Sequence, residues 1–266
     1  MQLSVLTLIE LGKRRRLSRI FGNGKRILIV PMEFGTAFAP NDWDLCAETT
    51  RAVMDGGADA IMTTYGQARQ FSDHLVNAPL ILTINYGWSD LAYPLEYVRE
   101  ANLMGADAVK VHFFGPFADM PLLELQRLSA ECKSQGMPFL FEPIPMTNYP
   151  NSGGQQLLDP IIVKKAVDLG VIIGADIIKI AYTGSAESLS KVTRGCPVPV
   201  VIAGGSSLSS DTQVLEMIRG AMDGGASGGA IGRNITTHRN PMKITKAISM
   251  IVHDDASVKD ALKVLA

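Results

Sequence analysis

An internal repeat, Gly-Ala-Asp followed by an apolar run, is the sequence feature that most restricts the fold of this chain. The repeat occurs at Gly57–Ile61, Gly105–Val109, Gly174–Ile178 and, in a weaker form, Gly225–Gly229. Each copy follows an amphipathic segment, so we expect the glycine to end a helix in the left-handed conformation and the Asp to open a turn into a buried strand. The glycines are 48, 69 and 51 residues apart, a spacing that fits two βα units rather than one.

Further short apolar runs lie between the repeats and bring the number of predicted strands to eight. They are rich in Val, Ile and Leu without polar alternation, which is typical of parallel strands covered by helices. The predicted strands are Ile27–Met32, Ala60–Thr64, Leu80–Asn85, Ala108–Phe114, Phe139–Pro143, Ile177–Tyr182, Pro199–Ala203 and Gly229–Gly232. The predicted helices between them are Trp43–Gly56, Leu91–Met104, Met120–Ser134, Pro160–Gly170, Asp211–Asp223 and Pro241–His253.

This alternation predicts an α/β fold, a (βα)8 TIM barrel that forms a single domain over residues 1–266. The length is close to the roughly 250 residues of one such barrel. A doubly wound open sheet is the alternative, but eight strands with the repeat on every second one favour closure. An extra N-terminal helix is predicted at Leu3–Phe21 and a short C-terminal one at Ser257–Leu265.

Composition and charge exclude several classes of protein. The formal net charge of −1 gives no indication of nucleic-acid or anionic-membrane binding, and no apolar stretch reaches the about 18 residues that span a bilayer. The three cysteines form no CxxC pair, which argues against a disulfide framework or a zinc site. The basic run Lys13–Arg16 is interpreted as a solvated helix face. We therefore expect a cytoplasmic protein that binds neither nucleic acid nor membrane.

Two lysines, Lys110 and Lys179, occupy the same position in two copies of the repeat. Alternate strands of a TIM barrel contribute side chains to the same interior layer, so these lysines on strands four and six are expected in one layer. Two desolvated ammonium groups near each other lower the pKa of at least one of them, and an amine in that state attacks carbonyl groups to form a Schiff base. The structural alternative is that each lysine pairs with a carboxylate.

Carboxylates at the C-terminal ends of strands are the predicted proton-transfer groups. Glu33 follows strand one and Glu142 lies in strand five, on the face where TIM barrels carry their catalytic residues. Schiff-base chemistry needs a proton shuttle, and Glu142 is predicted to lie between the two lysines, either in that role or as a counter-ion for Lys110. Other residues, each with an equally good structural explanation, are Tyr149, Tyr182 and His112.

The loops after strands seven and eight are predicted to bind phosphate. Strand seven continues into Gly204-Gly205-Ser206, and strand eight into Gly232-Arg233. These two loops form the usual phosphate site of TIM barrels, where glycine lets backbone N–H groups approach an anion and arginine adds a charge-assisted hydrogen bond. The predicted substrate is a phosphorylated carbonyl compound, and no cofactor is expected.

These motifs together resemble the DeoC/LacD class I aldolase superfamily. The chain is most similar to the branch of archaeal-type class I fructose-bisphosphate aldolases and 2-amino-3,7-dideoxy-D-threo-hept-6-ulosonate synthases. The resemblance is carried by Gly12–Phe21, Gly174–Gly184, Val201–Ser206 and Gly232–Asn234. It implies a Schiff base on Lys179, phosphate binding at the two glycine-bearing loops, a homo-oligomer such as a decamer, and no metal.

Two segments depart from that branch. Glu33-Phe34-Gly35 stands where the branch has Asp-His-Gly, and the Tyr-Pro-Arg-Gly that follows strand five in the branch is missing. The segment Phe139–Pro143 resembles the tagatose-bisphosphate aldolases instead, which carry a proton-transferring glutamate at the place of Glu142 and a second lysine at the place of Lys110.

The resemblance and the site residues together imply a class I aldolase acting on a phosphorylated ketose such as a fructose-bisphosphate-like sugar. The alternatives are an imine-forming transaldolase or acyltransferase in specialised or aromatic-precursor metabolism, an acid–base sugar-phosphate isomerase or epimerase that uses Glu33 and Glu142, and a catalytically inactive binding protein.

Overall fold

The computed structural model describes residues 5–22, 24–33, 44–84, 95–147 and 155–266. Eight parallel strands close into a barrel, each pairing with its neighbours along the chain and the last with the first. The strands are β1 (Ile27–Pro31), β2 (Ala60–Thr64), β3 (Leu80–Thr83), β4 (Ala108–Gly115), β5 (Phe139–Pro145), β6 (Ile177–Ala181), β7 (Val200–Ala203) and β8 (Gly228–Ala230). The predicted TIM barrel is confirmed, and the open-sheet alternative is wrong.

Helices surround the barrel, and one precedes β1. They are α1 (Val5–Phe21), α2 (Asp44–Asp55), α3 (Tyr65–Gln70), α4 (Ser72–Leu75), α5 (Glu96–Leu103), a 3-10 turn (Phe117–Asp119), α6 (Leu122–Ser134), α7 (Pro160–Ile172), α8 (Ala186–Thr193), α9 (Asp211–Asp223), α10 (Arg233–Thr236), α11 (Pro241–Asp254) and α12 (Val258–Leu262). Four short helices were not predicted, because helices this short show little periodicity: α3, α4, α8 and α10. Over the described residues, no helix combines the length and the apolar character that crossing a membrane requires.

The apolar core is divided between the barrel interior and the layer between strands and helices. Inside the barrel, the fully buried side chains include Ile27, Ile29, Met62, Ile81, Leu140, Ile177 and Val201. Ile20 of α1 is buried among them, with Leu17 and Phe21 packed beside it. Helix α1 therefore closes the N-terminal end of the barrel, and the interior layers near that end are apolar.

The Gly-Ala-Asp repeat connects neighbouring strands at this N-terminal end. Its glycines have positive φ angles, as predicted for left-handed helix ends: Gly57 (94°), Gly105 (74°), Gly174 (88°) and Gly225 (84°). Each Asp side chain also accepts a hydrogen bond from a backbone N–H at the start of the preceding strand. The pairs are Asp59 with Leu28 (2.6 Å), Asp107 with Leu80 (3.0 Å) and Asp176 with Phe139 (2.9 Å). The repeat thus joins consecutive strands in pairs.

The basic face of α1 binds the same aspartates. Lys13 forms an ion pair with Asp176 (2.7 Å), and Arg19 forms one with Asp107 (2.5 Å). Residues at positions i, i+3 and i+6 lie on one side of a helix, so a single face of α1 presents its cations to the closed end of the barrel. The N-terminal helix is therefore held by ion pairs as well as by apolar contacts.

Arg16 belongs to this face too. It donates hydrogen bonds to the backbone carbonyls of Ala106 (3.2 Å) and Gly136 (3.1 Å). The interpretation of the basic run as a solvated face is correct for the exposed residues 14–15 and wrong for Lys13 and Arg16, which are partly buried against the barrel. The helical spacing, rather than the density of charge, decides which of these cations form contacts.

Candidate active site

A polar cluster lies inside the barrel on the C-terminal side of its apolar layers. Its members are Glu33, Thr83, Lys110, His112, Glu142 and Lys179. Lys110, Glu142 and Lys179 are only 3%, 6% and 6% exposed. Charged groups buried this deeply remain ionised only when they are paired, so the pairing decides the chemistry of the cluster.

Lys110 of β4 and Lys179 of β6 belong to the same interior layer, as the repeat predicted. Strand pairing places Lys110 opposite Leu140 of β5, and Leu140 opposite Ile177 of β6. Because the strands tilt with a shear of about eight residues over eight strands, a given level in the barrel advances by about one residue per strand. The level of Lys110 is therefore reached on β6 two residues after Ile177, at Lys179.

Glu142 of β5 lies between the two ammonium groups and contacts both. Its Oε1 is 2.7 Å from Nζ of Lys179, and its Oε2 is 2.8 Å from Nζ of Lys110. Burial by itself would raise the pKa of Glu142, but the charges of Lys110 and Lys179 outweigh burial and bring the pKa well below its ordinary value. Glu142 is therefore an ionised carboxylate that bridges the two lysines.

Lys110 is surrounded by acceptors. Besides Glu142, its Nζ lies 3.2 Å from Nδ1 of His112 and 3.6 Å from Oε1 of Glu33. Burial lowers the pKa of Lys110, but the two carboxylates outweigh burial and raise the pKa above its ordinary value. The expectation that repulsion between lysines lowers a pKa is thus wrong for Lys110, because a carboxylate separates the cations. In the described part of the chain, Lys179 has Glu142 as its one ionic partner.

The other predicted proton-transfer residues occupy different places. Glu33 follows β1, and its Oε1 accepts a hydrogen bond from the Thr83 hydroxyl (2.6 Å), which places it at the edge of the cluster. Tyr149 lies outside the described residues. Tyr182 is directed away from the barrel interior and packs with its hydroxyl against Gly220 of α9. Tyr182 is therefore part of the wall behind the strands and not of the cluster.

The loops after β7 and β8 lie side by side, as predicted. Gly205 has a φ of 67°, a left-handed conformation that favours glycine, and its carbonyl accepts a hydrogen bond from Nη2 of Arg233 (2.8 Å). The N–H of Gly204 is used in pairing with Ala230 (3.1 Å). The N–H groups of Gly205 and Ser206 have no acceptor among the described residues, so they are available to an anion.

Asn234 holds these two loops together. Its side-chain amide donates hydrogen bonds to the carbonyls of Gly204 (3.0 Å) and Ser206 (3.3 Å), and its side-chain oxygen accepts one from the N–H of Leu208 (2.8 Å). The side chain is buried and three of its hydrogen-bonding positions are used. The motif Gly232–Asn234 does not by itself indicate this role for Asn234.

Comparison with known proteins identifies the family. Residues 27–238 match the model of the DeoC/LacD family of aldolases, which covers the whole barrel from β1 to α10. The chain belongs to the DeoC/LacD aldolase family. As a member it is a class I aldolase, a lyase that forms a Schiff base with a small-molecule substrate.

Relatives of this DeoC/LacD aldolase are similar over nearly their full length. The 2-amino-3,7-dideoxy-D-threo-hept-6-ulosonate synthase of Halobacterium salinarum is 35% identical over 263 residues, which cover 95% of this chain and 96% of that protein. Synthase 1 of Archaeoglobus fulgidus is 32% identical and covers 95% of each chain.

A solved structure of an archaeal fructose 1,6-bisphosphate aldolase superposes with a TM-score of 0.78 at 25% identity, covering 91% of this chain and 99% of the other. The structure of a Schiff-base-forming fructose-1,6-bisphosphate aldolase superposes with a TM-score of 0.77 at 26% sequence identity. The match covers 91% of this chain and 100% of the other.

Two residues that contact the predicted site residues were missed by sequence analysis. Thr83 binds Glu33 and Asn234 orders the loops after β7 and β8, and neither was assigned a function. Thr83 is a hydroxyl at the end of an otherwise apolar strand, a signal that was present but weak. Asn234 is recognisable only through its three partners, which lie 26 to 30 residues away along the chain.

Proposed function

We propose that this DeoC/LacD aldolase cleaves or forms a carbon–carbon bond in a phosphorylated ketose through a Schiff base on Lys179. One observation carries the proposal: Oε1 of Glu142 contacts the nitrogen of Lys179 at 2.7 Å, while Oε2 is held by Lys110 at 2.8 Å. One lysine therefore has a base beside it, and the other is kept as a cation. The names of the structural neighbours, which act on fructose 1,6-bisphosphate, support the choice of substrate class.

Imine formation begins with a proton transfer. Lys179 must lose a proton before its lone pair can attack, and Glu142 is the acceptor in contact with it. The nitrogen then forms a bond to the ketone carbon, and the electrons of the carbon–oxygen double bond move to the oxygen, which takes a proton from Glu142. After a second proton transfer from nitrogen to oxygen, water leaves and the imine remains.

Bond cleavage uses the protonated imine as the electron acceptor. A base removes the proton from the hydroxyl group on the carbon beyond the bond that breaks. The electrons of that O–H bond form the aldehyde carbonyl, and those of the broken carbon–carbon bond form the enamine on Lys179. Glu142 is our choice for this base, with Glu33 and Tyr149 as further candidates in the sequence. The enamine is then protonated or adds to another aldehyde.

The substrate phosphate is assigned to the loops after β7 and β8. These strands follow β6 around the barrel, so their loops adjoin the strand that carries Lys179. The N–H groups of Gly205 and Ser206 supply donors, and Arg233 supplies positive charge. Gly204 and Gly232 lie where these loops pack tightly against neighbouring segments. A Cβ at Gly204 would lie 3.2 Å from Cγ2 of Ile231, and a Cβ at Gly232 would lie 3.2 Å from the carbonyl oxygen of Pro31.

Reductive trapping tests the proposal directly. The protein is incubated with dihydroxyacetone phosphate and borohydride, digested, and mapped by mass spectrometry. We expect one adduct, on Lys179, that is absent from Lys179→Met and slowed in Glu142→Gln. An adduct on Lys110, or no adduct in folded protein, contradicts the proposed mechanism.

A second function is favoured by the identity to the ulosonate synthases. In that case the enamine on Lys179 is passed to a second substrate, so that the enzyme is an imine-forming transferase. Product analysis with mixed phosphorylated donors and acceptors separates the two functions: a cleavage enzyme releases free aldehyde, whereas a transferase gives a new carbon skeleton. Substantial turnover by Lys179→Met would instead favour an acid–base isomerase or epimerase.

We also propose that the enzyme is cytoplasmic and assembles into a homo-oligomer. Large apolar side chains remain exposed on neighbouring helices, among them Leu123 of α6 and Ile161 and Ile172 of α7. Apolar groups of this kind are the ones that oligomer interfaces cover. Light scattering on the purified chain gives the mass in solution, and a monomer at micromolar concentration contradicts the proposal.

A further inference from the structure

His112 contacts the catalytic cluster and has no part in the reaction described above. It lies two residues after Lys110 on β4, so both side chains point into the barrel. Its Nδ1 is 3.2 Å from Nζ of Lys110, and strand pairing places it directly opposite Glu142. On its other side, the imidazole meets the ring of Phe114 edge-on at 4.7 Å between centroids.

We propose that His112 is a positioning residue, a neutral imidazole whose Nδ1 accepts a hydrogen bond from Lys110 and thereby holds that ammonium group against Glu142. The inference deepens the proposed function, since it concerns the same site. It assigns to His112 one tautomer, with the proton on Nε2, because a ring nitrogen that accepts a hydrogen bond carries no proton of its own.

The geometry around Lys110 calls for an acceptor without charge. An ammonium group has three N–H donors, and the groups that face it are Glu142 from β5, Glu33 after β1 and His112 from β4. A third carboxylate at this position would compete with Glu142 for the positive charge. An imidazole satisfies the remaining N–H and leaves that charge available to Glu142.

Charge balance in the cluster supports the neutral form. Two lysines face two glutamates, Thr83 binds Glu33, and Lys179 reaches Glu142 from β6. A protonated His112 would place a third cation beside Lys110. Burial and the charge of Lys110 lower the pKa of His112 to about 3, which agrees with the direction that the contacts require.

In the proposed reaction the two lysines therefore have different roles: Lys179 is the nucleophile, and Lys110 is kept as a cation. Lys110, held by His112 and Glu142, is directed at the carboxylate and stays protonated, so the carboxylate remains ionised beside Lys179. If Lys110 lost its proton, Glu142 would lose one of its two cations. We therefore assign the basic limb of the rate profile to Lys110, and His112 determines the pH at which that limb lies.

The tautomer can be measured without any substrate. Long-range proton–nitrogen spectra of the protein with 15N-labelled histidine report the protonation of each ring nitrogen, and the chain has four histidines. The spectrum of His112→Asn identifies the signal of His112 by its absence. We expect a proton on Nε2 and no titration between pH 5 and 9. A proton on Nδ1, or a midpoint near the ordinary value of about 6.5, overturns the proposal.

A pair of variants tests the effect on the reaction. Asparagine in His112→Asn keeps an acceptor near the place of Nδ1, whereas His112→Leu keeps bulk and removes the acceptor. The measured quantity is the rate of borohydride-trapped adduct with dihydroxyacetone phosphate from pH 7 to 12, a range that extends above the ordinary lysine pKa of about 10.4, on protein shown to be folded at each pH. In His112→Leu we expect the basic limb to move to lower pH by about one unit, the size expected when a charged group loses a hydrogen bond. His112→Asn should stay near the wild-type profile.

Two results contradict this role of His112. If the basic limb lies at the same pH in the wild type and in His112→Leu, the imidazole contributes only packing. If His112→Leu and His112→Asn shift the limb equally, the hydrogen-bond acceptor is not the cause and the imidazole again contributes only packing. If the wild type forms no adduct at any pH, the proposed function fails, but the tautomer measurement still decides whether His112 accepts from Lys110.

Discussion

The two ends of the barrel use the same chemical pair, a carboxylate beside a cation, in opposite ways. At the N-terminal end, Asp107 is held by Arg19 and by the backbone N–H of Leu80. At the C-terminal side, Glu142 is shared by two lysines and, among the described contacts, accepts no backbone N–H. Burial does not separate them, because Asp107 is 4% exposed and Glu142 6%.

The difference lies in what the partners can do. A backbone N–H neither gains nor loses a proton and cannot move without unpairing a strand, so a carboxylate bound to it is fixed in one state. Lysine side chains titrate and reorient, so a carboxylate held only by them can exchange protons. The comparison predicts that variants near the N-terminal end change stability alone, whereas variants in the lysine cluster change turnover.

The largest effect is expected at Lys179. Lys179→Met removes the proposed nucleophile, and turnover should fall by about 10⁴-fold or more, as when the nucleophile of a covalent mechanism is deleted. Stability should change little, because Glu142 keeps Lys110 as a partner. Steady-state cleavage and thermal unfolding measure the two quantities. Lys191→Met, at an exposed ion pair on α8, is the matched control and should alter neither. A large loss of stability in Lys179→Met would mean that the pair is structural.

Glu142→Gln comes next and affects both quantities. Loss of the proposed proton shuttle should reduce turnover by about 10²–10⁴-fold. Two buried cations are then left without the carboxylate between them, so the free energy of unfolding should fall by about 3 kcal/mol. Turnover and urea unfolding are measured on the same samples. Glu33→Gln is the control: Thr83 can still bind the amide, and the fall in stability should be smaller. If Glu142→Gln and Glu33→Gln reduce turnover and stability equally, the different roles proposed for Glu142 and Glu33 are contradicted.

Asp107→Asn tests the N-terminal end. The amide keeps the shape but loses the charge that binds Arg19 and the N–H of Leu80, so stability should fall by about 1.5–3 kcal/mol. Turnover per folded molecule should stay at the wild-type value. Glu187→Gln, in an exposed pair with Lys191, should cost less than about 0.5 kcal/mol in the same urea assay. A drop in turnover for folded Asp107→Asn would show that the two ends are coupled.

Sequence reasoning succeeded where a local pattern carries the physics. The repeat placed Lys110 and Lys179 at one register and, with the tilt of the strands, in one layer; the positive φ angles of its glycines followed from the same pattern. Each of these depends on a few adjacent residues. The strands are predictable to within a residue or two for the same reason, because parallel strands are short apolar runs with sharp ends.

It failed where the answer depends on partners far along the chain. Nothing near Lys110 indicates that the carboxylates of Glu142 and Glu33 would raise its pKa, and nothing near Arg16 indicates that it binds the carbonyls of Ala106 and Gly136. The sequence left Tyr182 equally open as a proton donor or as a wall residue, and its hydroxyl lies against Gly220 of α9. Such contacts join residues that are far apart along the chain, so they are visible only in the folded structure.

The smallest predicted effect concerns His253 and completes the comparison. Its Nε2 lies 2.9 Å from Asp59, whose carboxylate also accepts the N–H of Leu28. The hydrogen bond to Asp59 raises the pKa of His253 above its ordinary value, although partial burial opposes it. A histidine with a raised folded-state pKa stabilises the protein fully below the unfolded pKa of about 6.5 and loses that contribution as the pH rises through the folded pKa.

The free energy of unfolding of wild type minus that of His253→Gln should therefore be largest at pH 5.5 and shrink toward pH 8.5. Its size should be about 0.5–1 kcal/mol, because both partners are partly exposed and screened. His112 is the counterpart in the lysine cluster, with the opposite sign: its folded-state pKa of about 3 lies below the unfolded value of about 6.5, so its contribution destabilises the protein as the pH falls below about 6.5. If the difference in the free energy of unfolding stays constant with pH, His253 donates to Asp59 as a neutral imidazole. Asp59 would then have no titrating histidine partner among the described contacts.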